Sequence, residues 1–297
     1  MKPRPIAALL LLVATMLWGL SFVAQKNAMV SLGPLSFTGA RYILGGLVIL
    51  PVALMESRRI AGKLSRQLWI GSLALSFVFF IGTWLQQWGM EFTTVTNAGF
   101  LTGLYVMFVP LIGFIALRHP PHPILLLGVP LALLGIFLLN GGTLAELNRG
   151  DLLVIICAVF WAIHILVLGL IASQSGRPIL VSCITFLAAG VLSSILAFAF
   201  ENPQLVNFGT QWVAIAYAGI ASTAIGFTLQ AIGQQHVPSA NAAIILSAES
   251  LFAALGGALL LGERLQPIGY LGAALLFLAI VLVEAIPPLW ARRKTQS

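Results

Sequence analysis

Apolar residues run along this chain in long blocks, punctuated by short clusters of Pro, Gly and charge. The blocks fall at approximately 5–25, 34–55, 68–89, 95–117 and 123–140, then 151–171, 178–200, 210–232, 239–260 and 267–286. A helix that crosses a bilayer needs roughly 20 apolar residues, from ~30 Å of hydrocarbon at ~1.5 Å rise per residue. The pattern therefore predicts ten membrane-spanning helices joined by short loops, with no soluble domain. The stretch Asn140–Gly150 (NGGTLAELNRG) is the natural linker between two groups of five.

Those two groups repeat one another. Trp18 recurs as Trp161 at an offset of 143, as Trp69 does in Trp212. At an offset of 144, Pro34 recurs as Pro178, Gln86 as Gln230, Gly89 as Gly233 and Gly113 as Gly257. Asn97-Ala98 recurs as Asn241-Ala242, Pro123 as Pro267 and Gly128 as Gly272, again at 144. A near-constant offset over so many pairs divides the chain into 1–145 and 146–297. Internal duplication in a very apolar chain is a signature of secondary transporters, whose sites lie at the repeat interface near the bilayer midplane.

Composition agrees with the pattern. Only 8% of residues are charged, 60% are apolar, and the mean hydropathy is +1.04; soluble domains carry roughly 25% charged residues. The net charge of +7 does not indicate nucleic acid, because the basic residues are scattered through short loops with no aromatic-basic platform. Cys157 and Cys183 fall inside apolar blocks and read as small apolar filler, not as a disulfide or metal pair. Lys2 and Arg4 before an apolar run imitate a signal peptide, but the run continues to about Ala24 and its Trp18 is matched in the repeat. It reads as a retained first span.

Charge asymmetry orients the chain. The loops on the side of the N-terminus hold Lys2, Arg4, Arg58, Arg59, Lys63, Arg66, Arg118, Arg177, Arg292, Arg293 and Lys294, and the other side holds Lys26, Arg149 and Arg264. Eleven against three puts both termini in the cytoplasm by the positive-inside rule. Five spans per repeat is odd, so the second half enters from the opposite face. The expected fold is an all-α integral membrane protein with a five-plus-five inverted repeat, multi-pass in the cytoplasmic (inner) membrane. Each half can then gate one face in turn.

The run LLLGERLQPIGYLGAALLFLAIVL near the C-terminus resembles the closing signature of the EamA-type transporters of the drug/metabolite transporter superfamily. TMLWGLSFVAQKNAM and PLSFTGARYILGGLVILP resemble the start of the same family, and the likeness covers essentially the whole chain. The resemblance implies a basket-like fold with a central cavity walled by spans 1, 3, 4, 6, 8 and 9. It also implies that spans 5 and 10 stand at the back, where they often serve as a homodimer interface. Members export amino acids and other small metabolites, some by exchange for protons. One departure falls in span 9, where the Glu-Pro pair frequent in the family is Glu249-Ser250. The first-half counterpart of Glu249 is Tyr105, so the halves differ at this depth.

Glu249 lies near the middle of span 9, where an ionised carboxylate costs ~2.5 kcal/mol or more on insertion scales. It must be protonated, paired or facing water. It is either a proton-exchange group or a structural carboxyl bonded to neighbouring helices. Asn241 and Asn97 lie eight residues before Glu249 and Tyr105, on similar helical faces. They line the cavity or cap helix starts. His164 stands three residues after Trp161, where span 1 has Ser21 after Trp18. It is a proton sensor or carboxylate ligand, or else a neutral imidazole bonded to backbone. Trp18 and Trp161 form an aromatic wall for apolar groups or cations, or pack at the pseudo-twofold axis. Gln86 and Gln230, within the polar runs Thr83–Trp88 and Thr228–Gln235, bind polar substrate groups or join helices. Trp84 and Trp88 read as aromatic-belt residues.

Arg41, inside span 2, reads as a structural clamp or interfacial anchor in preference to a fork for a substrate carboxylate. Its repeat counterpart is Thr185. Paired glycines such as Gly45-Gly46 and Gly256-Gly257 serve packing. The candidate substrate-binding set is thus Trp18, Ser21, Gln86, Asn97, Tyr105, Trp161, His164, Gln230, Asn241 and Glu249, with Glu249 and His164 as proton-coupling candidates.

No GxxxxGK phosphate loop and no HExxH are present, and Asp151 is the only aspartate. His119 and His122, beside prolines in a loop, do not have metal-site spacing. No cofactor, metal or enzymatic activity is expected. The expected function is export of small metabolites, most of all amino acids, by alternating access. An uncoupled uniporter or channel and a multidrug exporter are the alternatives; the scarcity of ionisable groups in the spans suits the first of these.

Overall fold

The structure is a computed structural model describing residues 3–60, 62, 64–118, 123–139, 141–142, 148–262, 264 and 266–294. The expectations placed on Lys2, Lys63, His119, His122 and most of the 140–150 linker lie outside the described residues, as do the side chains of Glu284, Arg292, Arg293 and Lys294. The described residues are helical, with no strand among them. The first repeat contributes α1 (Pro3–Ala28), α2 (Pro34–Arg59), α3 (Arg66–Gly89), α4 (Val95–Thr102), α5 (Tyr105–Leu117) and α6 (Leu125–Leu139). The second contributes α7 (Arg149–Ser175), α8 (Pro178–Phe200), α9 (Leu205–Thr210), α10 (Trp212–Ala216), a π-helical segment (Tyr217–Phe227), α11 (Thr228–Gly233), α12 (Ser239–Leu246), α13 (Glu249–Leu261) and α14 (Pro267–Lys294). Eight helical runs are long and apolar enough to cross a membrane, and two shorter apolar helices lie at Leu125–Leu138 and Pro267–Leu282.

Local sequence explains where the helices start and stop. Ser65 Oγ accepts from Leu68 N at 3.2 Å and Thr94 Oγ1 from Asn97 N at 3.1 Å, capping α3 and α4. Asn148 and Asp151 form a reciprocal capping box at the start of α7. Pro34 and Pro178 open α2 and α8, where a missing N–H costs nothing. Arg118 and Gly262, 144 apart, end α5 and α13 in the left-handed conformation.

The two repeats interlock: α2 packs along α8, α6 along α14, α1 against α13 and α5 against α7. The α2–α8 pair is clamped at both ends. Glu201, just past α8, accepts from Leu35 N (2.7 Å), Ser36 N (2.8 Å) and Ser36 Oγ (2.7 Å) at the start of α2. Glu56, near the end of α2, accepts from Leu180 N (2.8 Å) and Ile179 N (3.4 Å) at the start of α8. Each carboxylate satisfies orphan helix-start donors and sits at the positive end of its partner's dipole.

Three expected spans are not plain α-helices. The 95–117 and 239–260 segments each tighten by i→i−3 bonding at the same repeat position. In the first, Leu104, Val106 and Met107 N–H groups bond three residues back at 3.0–3.3 Å; in the second, Ala248, Ser250 and Leu251 do so at 3.0–3.2 Å. Mid-helix 3₁₀ turns of this kind often mark hinges. The 210–232 segment widens into a π-helix, a rare form in so long a stretch. Close approach accompanies the widening: a Cβ on Gly226 would sit 2.6 Å from Trp18 Nε1.

Candidate functional site

α1, α2, α3, the α4–α5 and α12–α13 turns, α7, and the π-segment with α11 line one cavity. Of the residues singled out from sequence, Trp18, Gln86, Tyr105, Trp161, Gln230 and Glu249 line it. Tyr105 and Glu249 are repeat partners, each the first residue after its 3₁₀ turn. Their side chains are neighbours across the cavity. Neither the Tyr105 hydroxyl nor Glu249 Oε1 makes a well-formed hydrogen bond to protein. Glu249 is only 5% exposed.

The other walls are aromatic and amide. Trp18 donates from Nε1 to the Ser222 carbonyl at 3.1 Å, and its ring meets Phe227 at 4.5 Å between centroids. Phe227 also stacks on Trp161 at 5.6 Å, and Trp161 meets Phe79 edge-on at 5.6 Å. Gln86 donates to Thr102 Oγ1 at 3.0 Å. Among the described residues, Gln25 Oε1, Gln230 Oε1, Trp161 Nε1 and Arg41 Nε join Tyr105 Oη and Glu249 Oε1 as buried polar atoms that make no well-formed hydrogen bond. All six belong to cavity-lining residues. Native proteins leave few buried polar groups unpaired, and these six converge on one cavity, while others, such as those of Thr38, Gln87 and Ser193, lie away from it.

Four candidates stand elsewhere. Ser21 is fully buried on α1 and accepts from Gln25 Nε2 at 3.4 Å. His164 is buried behind the wall, its ring against Phe79 and Trp161, with Nδ1 unpaired. The Asn97 amide neither caps α4 nor faces the cavity; it donates to Asp151 Oδ1, which also accepts from Thr93 Oγ1 at 2.7 Å. It thereby ties the start of α4 to the start of α7. Asn241 is buried near the start of α12. Trp84 and Trp88 stack at 5.7 Å along α3, with the Arg149 guanidinium over Trp88.

The sequence reading missed Gln25, Tyr42, Thr102, Ser222 and Phe227, and it placed Arg41 as an anchor. Arg41 lines the cavity and is 3% exposed. Its charge within a span was the available signal. Gln25 carried another, four residues after Ser21 and seven after Trp18 on one helical face. Among the described residues, no group of three His, Cys, Asp or Glu side chains could hold a metal ion.

The model of the EamA-like transporter family matches residues 5–141 and again residues 148–285. The chain is 29% identical over 281 residues to an "Uncharacterized transporter" of Archaeoglobus fulgidus, covering 95% of this chain and 86% of the relative. It is 26% identical to "Uncharacterized transporter YwfM" of Bacillus subtilis, covering 95% of each. A partial match, 28% identical over 47% of this chain and 44% of the relative, is an "S-adenosylmethionine/S-adenosylhomocysteine transporter" of Chlamydia muridarum. A protein of known crystal structure shares the fold at a TM-score of 0.77 and 19% identity, covering 98% of this chain and 99% of its own.

Proposed function

Because the chain belongs to the EamA-like transporter family, we propose that it exports small metabolites carrying an amino-acid group, by alternating access at the cavity between its two repeats. Residues 1–145 and 146–297 are the two halves, five spans each and inverted, with both termini in the cytoplasm and the protein in the inner membrane. The 3₁₀ turns at Gly103-Leu104 and Ser247-Ala248 are the matched flexing points of spans 4 and 9. The observation that carries the reading is the set of six buried polar atoms without a well-formed hydrogen bond around one aromatic-walled cavity. Arg41 Nε, Trp161 Nε1 and Tyr105 Oη offer hydrogens to a carboxylate, while Glu249, Gln230 and Gln25 offer oxygens to an ammonium. Trp18, Trp161 and Phe227 take the side chain. S-adenosylmethionine, named for the chlamydial relative, itself ends in an α-amino acid, which suits the same set.

Glu249 is the coupling group of this proposal, since its carboxyl faces the cavity and is not committed to a counter-ion. His164, behind Trp161, is the second candidate. The test is flux of labelled amino acids into proteoliposomes with and without a pH gradient, for intact protein and for Glu249→Gln. Saturable flux that follows the gradient only when Glu249 is present supports coupled transport. Saturable flux indifferent to gradient and substitution refutes the coupling and leaves a facilitative carrier. No flux for any amino acid removes the substrate class.

A further inference from the structure

Arg41 is a guanidinium buried in the wall of the cavity with almost nothing to neutralise it. It offers five N–H hydrogens. One Nη donates to the Tyr42 hydroxyl at 2.8 Å, and Nε has no partner. The flat face of the group lies 4.5 Å from the Tyr42 ring centre and 5.4 Å from that of Phe37. These contacts fix its plane without spending its remaining donors. No carboxylate pairs with it among the described residues, although Glu249 lines the same cavity. A buried cation without a counter-ion is costly unless a partner arrives. Membrane depth makes that cost functional by default.

The surroundings define the partner. Tyr42 packs edge-on against Phe79 at 4.8 Å, and Phe79 meets both Phe227 and Trp161. Tyr42, Trp161 and Phe227 share the cavity lining with the guanidinium and the Tyr105–Glu249 pair. Resting on the transport reading above, we propose that Arg41 is the specificity-determining residue of the cavity: it holds the carboxylate of the transported molecule through its free edge, and so selects molecules with a carboxylate at one end of an apolar or aromatic body. A planar fork suits a carboxylate in two-point contact, which a lysine ammonium cannot reproduce.

The experiment compares matched molecules. Flux of each labelled amino acid is measured in proteoliposomes, together with its carboxamide and its decarboxylated amine, for intact protein, Arg41→Gln and Arg41→Lys. Folding of each variant is checked by monodisperse elution in detergent. Intact protein favours the carboxylate. In Arg41→Gln the KM for the carboxylate rises about tenfold or more, the worth of a charge-assisted hydrogen bond, and the preference for the carboxylate over its amide and amine falls by a similar factor. Arg41→Lys loses discrimination several-fold while keeping the cation, and carries the test if the Gln variant does not fold. Discrimination unchanged in a folded variant overturns the proposal and leaves the transport reading standing. Intact protein that moves the amine or amide as well as the carboxylate does the same. No saturable flux for any of the three classes removes the transport reading and the proposal with it.

Discussion

The reciprocal clamp between α2 and α8 makes a quantitative prediction. Glu201→Ala removes a carboxylate that takes three hydrogens from the start of α2 at 2.7–2.8 Å. A charge-assisted hydrogen bond is worth about 1.5–3 kcal/mol, and loss of a helix-start cap about 0.5–2 kcal/mol. Glu201 is half-buried, so water recovers part of the loss, and about 2 kcal/mol is expected. Glu56→Ala removes one good bond at 2.8 Å and one long bond at 3.4 Å, for about 1 kcal/mol. At about 2 °C per kcal/mol for a chain of this size, thermal unfolding in one detergent should fall by about 4 °C and about 2 °C respectively. The clamps also differ in what they hold. Glu201 holds the end of α2 that leads to Arg41, whereas α8 contributes no side chain to the cavity. Glu201→Ala should therefore raise the KM of a carboxylate substrate, and Glu56→Ala should lower stability alone. Equal or reversed melting shifts, or a KM that rises only for Glu56→Ala, would refute the reasoning.

Two further outcomes follow from local geometry. A Cβ on Gly19 would stand 2.3 Å from Phe252 Cβ and 2.7 Å from Ala253 N, so Gly19→Ala must part α1 from α13. The expected cost is about 1–3 kcal/mol, with reduced flux because α13 carries Glu249; a thermal midpoint equal to that of the intact protein would show that α1 yields freely. Glu91, in the turn between α3 and α4, is held above the usual carboxylate value of 4.5, first by partial burial and then by the charge of Glu201. The folded state thus grips the proton harder than the unfolded chain does. That contribution is fully present below pH 4.5 and lost as pH rises through the folded value. Glu91→Gln should melt higher than intact protein at pH 7.5, with the gap closing at pH 4; a gap of opposite sign, or one that persists at pH 4, contradicts the assignment.

Much of this architecture is visible in one dimension because its causes are local. Apolar blocks, opening prolines and the capping residues mark the helices, and the 144-residue offset reappears in the bounds of α4, α5, α12 and α13. The family resemblance named spans 1, 3, 4, 6, 8 and 9, which all line the cavity, but not span 2, which adds Arg41 and Tyr42; six of the ten candidate residues line it. The misses have non-local causes. Which face of α2 turns inward is set by α8 packed along its length, so Arg41 reads from sequence as a charge without a direction. Asn97 finds Asp151 across 54 residues, and no local pattern announces that bond. His164 shares a helical face with Trp161, yet it packs against Trp161 and Phe79 and, unlike Trp161, does not line the cavity. The π-helix has no proline of its own; it coincides with small residues, Gly219 and Gly226 among them, against which α2 and α1 press.

The repeat is most informative where it fails. Backbone geometry at positions 105 and 249 is the same, each opening a helix after a 3₁₀ turn, and the two side chains meet. Had both been glutamate, two carboxyls would face each other in a space where like charges cannot both ionise. Tyrosine at 105 removes the second charge and supplies a hydroxyl. The cation departs from symmetry in the opposite sense: Arg41 belongs to the first repeat, and its counterpart Thr185 turns its hydroxyl back to the Val181 carbonyl at 2.9 Å. One half thus contributes the cavity's guanidinium and the other its carboxyl, each once. On the transport reading proposed above, a guanidinium and a carboxyl at one cavity would hold a zwitterionic guest in one orientation while the two halves rock about it.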